Sequence, residues 1–401
     1  MSTPWLSLIG IGEDGGLSPA ARHILESTAI VYGSQRHFEL AGPLTAEVRT
    51  WPNPFVSVYD DLKAMAGTPV AILATGDPQW FGIGSALAKH FAAEDMRVLP
   101  SPSAFQLAAA RMRWPLQDVE CISLHGRPVE TLSAFLYPGA RILALTSNGE
   151  TPSQVARILR EKGFAPTEMT VLEHMGGHAE RVVSGQAADW SETVADFNTL
   201  ALDLRAEDGA AVHARTPGLP DDAFRHDGKM TKREIRAVTL SSLMPLPGQL
   251  LWDIGAGCGS IGIEWMRAAR GALAVGLEPH DERRAMAAEN ALSLGVPGFD
   301  LKNANAPEAL ADLPSPDAIF IGGGLTAEGI VEHCIGALKP GGRLVANAVT
   351  LVSEAELLDA HKRFGGDLTR LSVQRASAVG GLTGWRPLMP VTQWTFRKGA
   401  A

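Results

Sequence analysis

The segment LLWDIGAGCGSIGIEW, residues 250–265, constrains the chain more than any other. An apolar run ends around Asp253, glycines follow at Gly255, Gly257 and Gly259, and the spacing of Ile261, Ile263, Trp265 and Met266 then fits a helix face. Strand, tight glycine turn and helix make a βα unit, which is stable only beside parallel neighbours in an α/β sheet. The glycines let the backbone approach a ligand, and the start of the helix offers it free amide groups. A ligand crevice at the carboxyl end of this strand is the expected consequence.

Short apolar runs alternate with helical-period segments along almost the whole chain of 401 residues, so the α/β reading extends beyond this one unit. That length suits two or three domains better than one. Charge divides the chain too: residues 1–210 carry 15 basic and 24 acidic side chains, whereas 211–401 carry 20 of each. The stretch Arg205–Lys229 is rich in glycine and proline and lacks periodicity. The expected division is a first domain over 1–208, a linker over 209–229 and a second domain over 230–401. Late β-rich segments at 368–376 and 391–397 are expected to pair as a hairpin.

The glycine loop alone leaves its ligand open, because Gly257, Gly259 and Gly262 also satisfy the dinucleotide spacing G-x-G-x-x-G. Glu278 ends the next strand candidate, where a carboxylate can accept hydrogen bonds from ribose hydroxyls in either kind of site. With Asp253 in front, the pattern D-x-G-x-G-x-G resembles the first motif of the class I S-adenosylmethionine-dependent methyltransferases. That resemblance implies a Rossmann-like domain and places Asn305 and Ala306, after the third strand, at the adenine.

The first domain opens on a strand and a different loop, Gly10-Ile11-Gly12-Glu13-Asp14-Gly15. Glu13 and Asp14 would repel a pyrophosphate, which disfavours a dinucleotide. Two further βα turns follow, Gly76-Asp77-Pro78 and the run PSPSAF, with Ser103 as the expected helix N-cap. Together these three elements resemble the tetrapyrrole methylase family over about residues 4–205. The resemblance implies a fold of two α/β lobes holding S-adenosylmethionine between them, with Gly10, Gly12, Gly76, Asp77, Pro78 and Ser103 at the cofactor. The loop departs from the G-x-G-P-G-D of many members, and in this it is similar to the branch that acts on precorrin-6Y.

The junction RTPGLPDDAFRHDGKMTKREIRAVTLSSL and the methyltransferase half after it are similar to the fused, decarboxylating precorrin methyltransferases of cobalamin biosynthesis. What the resemblance implies is a bifunctional C-methyltransferase. It would methylate a precorrin-6 tetrapyrrole at carbon 5 with the first domain and at carbon 15 with the second. Decarboxylation of the carbon 12 acetate, also by the second domain, would give precorrin-8. S-adenosyl-L-methionine would serve as co-substrate at two sites, with no metal. Methyl transfer from a sulfonium needs alignment above all, so no catalytic base need show in sequence. Groups that could handle the proton of decarboxylation are His226, Lys229, Thr231, Lys232, Asn347 and Thr350. For the substrate's carboxylates the candidates are Arg127, Arg225 and Arg233, within a basic run that also holds Arg215 and Arg236; Arg111 and Arg113 could join Arg127 in making the first cleft locally positive.

The remaining expectations are negative or general. A net charge of −9 without a basic–aromatic patch argues against a nucleic-acid partner, hence against an RNA methyltransferase. An NAD(P)-dependent oxidoreductase remains the alternative from another class. No export leader or membrane span is expected, which suits the cytoplasm, and family analogy implies a homo-oligomer with the tetrapyrrole (precorrin-6B) as its small-molecule partner. The three cysteines lie far apart and read as small buried residues.

Overall fold

The computed structural model describes residues Pro4–Gly399. It divides the chain into two compact units, one of residues up to Val129 with Tyr137–Ala211, the other of Glu130–Leu136 with Val212 onward.

The first unit holds two five-stranded sheets. Strands β1 (Leu6–Ile11), β2 (Ile30–Gly33), β3 (Glu47–Thr50), β4 (Val70–Thr75) and β5 (Met96–Leu99) run parallel in the order β3-β2-β4-β1-β5. Every residue of β1 is buried, as expected for a central parallel strand covered on both faces. The second sheet takes β6 (Glu120–Ser123), β7 (Arg141–Leu145), β8 (Glu168–Glu173), β9 (Arg181–Gln186) and β10 (Asn198–Asp203) in the order β6-β7-β10-β8-β9. Here only β6 and β7 pair in parallel.

The second unit is built on a seven-stranded sheet. Its strands β11 (Leu250–Ile254), β12 (Leu273–Leu277), β13 (Asp300–Lys302), β14 (Ala318–Ile321), β15 (Arg343–Ala348), β16 (Asp367–Leu371) and a last strand, Val391–Arg397, include five in parallel. The spatial order β13-β12-β11-β14-β15 reverses direction between β11 and β14, which is the Rossmann-like switch point. Val391–Arg397 lies antiparallel between β15 and β16. The expected late hairpin is thus half right: residues 368–371 do pair with 391–394, but 374 onward does not continue that strand. Instead β17 (Gln374–Val379) and β18 (Leu382–Pro387) form a separate two-stranded hairpin, which makes Val391–Arg397 β19.

Part of the stretch expected as a linker is built into this unit. Gly218 and Leu219 donate their amides to the buried Glu264 carboxylate at 2.6 and 3.0 Å, and Phe224 joins the core. Arg236, wholly buried, pairs with Glu264 at 2.5 Å and with Asp221 at 3.2 Å. It therefore cannot serve the basic run as a surface cation, and an expectation that counted it toward substrate carboxylates is corrected by its burial. No helix among the described residues is long and apolar enough to cross a membrane.

Candidate functional site

In the first unit the three sequence elements meet at the carboxyl ends of β1, β4 and β5. A Cβ on Gly10 would stand 2.0 Å from the Gly76 carbonyl oxygen and 2.5 Å from the Ser101 amide nitrogen, so the three loops close only around a glycine. Gly76 has φ +65°, a conformation that disfavours other residues. Ser103 caps the helix Ala104–Met112 as expected: its hydroxyl accepts from the Gln106 amide at 3.3 Å while the Gln106 side chain accepts from the Ser103 amide at 2.7 Å. The Asp77 carboxylate accepts from the Gln79 amide at 2.8 Å.

These loops border a cavity of roughly 850 Å³ within the first unit. Gly12, Gly76, Asp77 and Ser103 line it, whereas Gly10 and Pro78 are not among its lining residues; the Pro78 carbonyl accepts from the Gly84 amide at 2.8 Å. Its other walls are strongly aromatic, with Trp51, Trp80, Phe81, Phe105 and Phe197. Among the described residues its lining contains Glu13, Asp77 and Asp196 but no lysine or arginine. The expectation of a cleft made positive by Arg111, Arg113 and Arg127 is therefore corrected. Arg111 is held by a two-pronged pair with Glu180 at 2.6 and 2.8 Å, which keeps that carboxyl down at about 2, and Arg113 ends a helix at φ +56°. Arg127 reaches the cavity only through Phe81, whose ring centre lies 5.7 Å from the guanidinium.

Sequence reasoning missed a cluster in one wall of this cavity. Glu13, from the glycine loop, forms an ion pair with Arg36, and His174 Nδ1 lies 3.7 Å from the other Glu13 oxygen. The Arg36 guanidinium sits 4.1 Å from the centre of the Phe197 ring. Beside it His37 accepts the Ser34 amide at 3.2 Å through Nδ1 and faces the Thr75 hydroxyl at 3.0 Å through Nε2. Burial, aided by the Arg36 charge, holds His37 down at about 4, so it stays neutral. The one available signal was the pair of carboxylates in the loop, which announced an unusual wall without naming its partners.

In the second unit the glycine loop folds as the sequence implies. Gly255, at φ +71°, would place a Cβ 2.7 Å from the Gly323 amide nitrogen, so the loops after β11 and β14 can approach each other at the switch point only because it is glycine. Glu278, buried at the end of β12, accepts from the Gly257 amide at 2.9 Å with one oxygen and from the His280 amide at 3.0 Å with the other. Asp253 is 1% exposed and accepts from the Gly262 amide at 2.9 Å. Its second oxygen is buried without a hydrogen-bond partner, and burial, with the Glu278 charge adding, pushes its carboxyl up to about 7. Gly259 starts the helix Ser260–Ala268 at φ +81°. Around Gly257, by contrast, the space is open: a Cβ there would meet only the Lys229 carbonyl oxygen, at 3.8 Å. Asn305 is exposed three residues after β13, and Ala306 is half-buried.

The proton-handling candidates separate into two groups. The Lys229 backbone borders the glycine loop, and its neighbours form a small turn: His226 accepts the Gly228 amide at 2.9 Å and Lys232 Nζ donates to the Gly228 carbonyl at 3.2 Å. Thr231 gives its carbonyl to Arg236 at 2.6 Å. Asn347 is committed elsewhere, donating to Thr239 and accepting from Gln393, both at 2.9 Å. Thr350 caps the helix Leu351–Phe364 through the Ser353 amide at 3.2 Å. Of the cationic candidates, Arg225 is paired with Glu289, Arg215 donates to the Arg267 carbonyl at 3.1 Å, and the Arg233 side chain is exposed.

Comparison with known proteins divides the chain in the same way. Residues 8–190 match the Tetrapyrrole (Corrin/Porphyrin) Methylases, and residues 222–398 match the Precorrin methyltransferase domain. Two relatives match somewhat less than half of this chain each. A probable cobalt-precorrin-6B C(15)-methyltransferase (decarboxylating) of Pyrobaculum calidifontis is 35% identical over 44% of this chain and 93% of its own. A cobalt-precorrin-7 C(5)-methyltransferase of Salmonella typhimurium is 27% identical over 46% of this chain and 94% of its own. A third, a precorrin-6Y C(5,15)-methyltransferase (decarboxylating) of a Sinorhizobium species, is 49% identical over 99% of this chain and 97% of its own. With both glycine-loop crevices present in one chain and that identity running from end to end, the protein is a C-methyltransferase belonging to the family of precorrin-6Y C(5,15)-methyltransferases (decarboxylating).

Proposed function

We propose that the first domain, residues 1–208, methylates carbon 5 of the precorrin. The second, residues 230–401, methylates carbon 15 and removes carbon dioxide from the carbon 12 acetate, giving precorrin-8. The observation that carries this reading is that the chain builds two unlike glycine-loop sites, one in each unit, each at the carboxyl ends of parallel strands. The half-length relatives named for carbon 5 and for carbon 15 support the division.

Each of the two sites offers groups suited to S-adenosylmethionine, which supports this reading. In the second, Asp253 keeps a buried oxygen without a partner, and the open side of Gly257 leaves its backbone approachable. Glu278, held by two amides, can turn its remaining lone pairs to ribose hydroxyls. Asn305 and Ala306 would border the base. In the first, Gly12, Gly76, Asp77 and Ser103 would hold the nucleoside while the aromatic walls exclude water. When bound, the sulfonium supplies an activated methyl group. The protein then has to bring a nucleophilic ring carbon into line with it, and alignment of bound partners is worth roughly 7–11 kcal/mol in favourable cases. For decarboxylation the conjugated macrocycle can accept the electron pair itself, so the chain has to desolvate the acetate and deliver a proton. The turn of His226, Lys229 and Lys232 beside the glycine loop is the better placed of the two candidate groups.

We also infer a cytoplasmic homo-oligomer with no nucleic-acid or membrane partner. Val379, Leu382 and Trp385 of the β17–β18 hairpin are 62–80% exposed, more apolar surface than one hairpin ordinarily leaves in water. A monomer by light scattering at micromolar concentration would count against it. The function is tested by incubating the intact chain with S-adenosylmethionine and reduced precorrin-6B and following product mass. Two methyl gains with one loss of carbon dioxide are expected; a product lacking either methyl group overturns the assignment.

A further inference from the structure

The first cavity poses a problem of charge. A precorrin carries many carboxylates, yet the described lining of this cavity offers three carboxylates and no lysine or arginine. Arg36 is the cation that reaches this wall most closely. It lies on the first turn of the helix Gln35–Ala41, with its guanidinium 4.1 Å from the centre of the Phe197 ring and Nη1 3.5 Å from the Thr75 hydroxyl; both residues line the cavity. A stacked, tethered guanidinium is pre-oriented for a carboxylate and loses little freedom in receiving one. Its side chain is 35% exposed overall, while Nη2, the nitrogen paired with Glu13, is buried, so a ligand gains that nitrogen only as Glu13 leaves it.

In the structure the anion on Arg36 is Glu13, which comes from the very loop that departs from the usual family pattern. A partly desolvated guanidinium must keep a counter-charge, and exchanging one carboxylate for another preserves it. Glu13 has somewhere to go: His174 Nδ1 is 3.7 Å from its other oxygen, and the His174 ring packs 5.5 Å from Phe197. We infer that Arg36 receives a carboxylate of the tetrapyrrole in the first domain, and that Glu13 occupies its place until the substrate displaces it. The inference rests on the reading of this domain as the carbon 5 methyltransferase. Arg36 is thereby a specificity-determining residue, and Glu13 an internal competitor. No covalent bond changes in the exchange.

The two residues should act in opposite directions, which a merely structural ion pair would not do. With the intact chain, S-adenosylmethionine and reduced precorrin-6B, methylation at carbon 5 and at carbon 15 can be followed separately, the second serving as internal control. Arg36→Met is expected to raise KM for the carbon 5 step about tenfold or more, the effect falling on KM rather than kcat, with Arg36→Lys recovering part of it. The near-isosteric Glu13→Gln is expected to lower that KM about threefold, since a neutral amide competes poorly for a guanidinium. The inference is overturned if both variants shift KM the same way, if Arg36→Met leaves it unchanged, or if carbon 15 methylation moves equally. Absence of carbon 5 methylation in the natural chain is a different result, and it removes the underlying reading of the domain.

Discussion

Asp253 offers the sharpest test of the second site. Its carboxyl is buried at 1% exposure with one oxygen on the Gly262 amide and the other without a partner. Burial raises it from 3.8 to about 7. A carboxyl raised on folding binds its proton more tightly in the folded chain, so its contribution is most favourable at low pH. That contribution is lost as pH rises from about 4 to about 7. The whole gap amounts to roughly 4 kcal/mol at 1.36 kcal/mol per pH unit, of which more than half falls between pH 5 and pH 8. Asp253→Asn removes the titration while an amide oxygen can still accept from Gly262. Hydrogen exchange of peptides covering β11, compared between variant and natural chain at each pH, reads local opening of the second unit and cancels the intrinsic rate. Relative to the natural chain, the variant should gain protection from pH 5 to pH 8 by roughly one to two orders of magnitude. Parallel behaviour across that range would refute the argument, and protection that shrinks with rising pH would reverse its sign.

Other perturbations have equally definite outcomes. Gly10→Ala drives a Cβ into two backbone atoms, at 2.0 and 2.5 Å, so carbon 5 methylation should be lost with carbon 15 methylation retained in the product mass. Arg236→Met leaves the buried Glu264 without its cation and should destabilise the second unit by about 3–5 kcal/mol, seen as a lowered unfolding midpoint. Raising salt from 0.02 to about 0.2 M should lower KM for the carbon 5 step, because screening relieves repulsion between an acidic domain and a polyanion; a higher KM would show that attraction dominates.

What could be read from sequence was whatever a short stretch determines by itself. The Ser103 cap and the Asp253–Gly262 hydrogen bond depend on neighbours within about ten residues and form as a local reading expects, whereas the close approaches that require Gly10 and Gly255 come from loops 66 to 91 positions away. In the first unit β3, β5 and β9 lie at sheet edges. Edge strands bury little and so carry no strong alternation; β9 has no fully buried residue. The β17–β18 hairpin escaped for the same reason, since its residues are mostly exposed. Long-range assembly hid the rest. Glu13, Arg36, His174 and Phe197 span 185 positions in the chain, and no spacing rule connects a loop glutamate to a ring so far along. Arg236 misled in the opposite direction: it sits among surface cations in sequence but ends up fully buried against Glu264.

The acidic character of the first half now has a structural meaning that a net count could not supply. With Glu13 paired to Arg36, Asp77 and Asp196 are the lining carboxylates left to favour a sulfonium donor on the proposed reading of this domain, and the donor's positive charge disappears once its methyl group has gone. That preference works against a polycarboxylate acceptor entering the same space, and a lysine or arginine projecting freely into the cavity would weaken the hold on the donor. On the inference drawn above, the Arg36–Glu13 pair resolves the conflict: the guanidinium is neutralised by Glu13 while the acceptor is absent, and would be paired again by a substrate carboxylate.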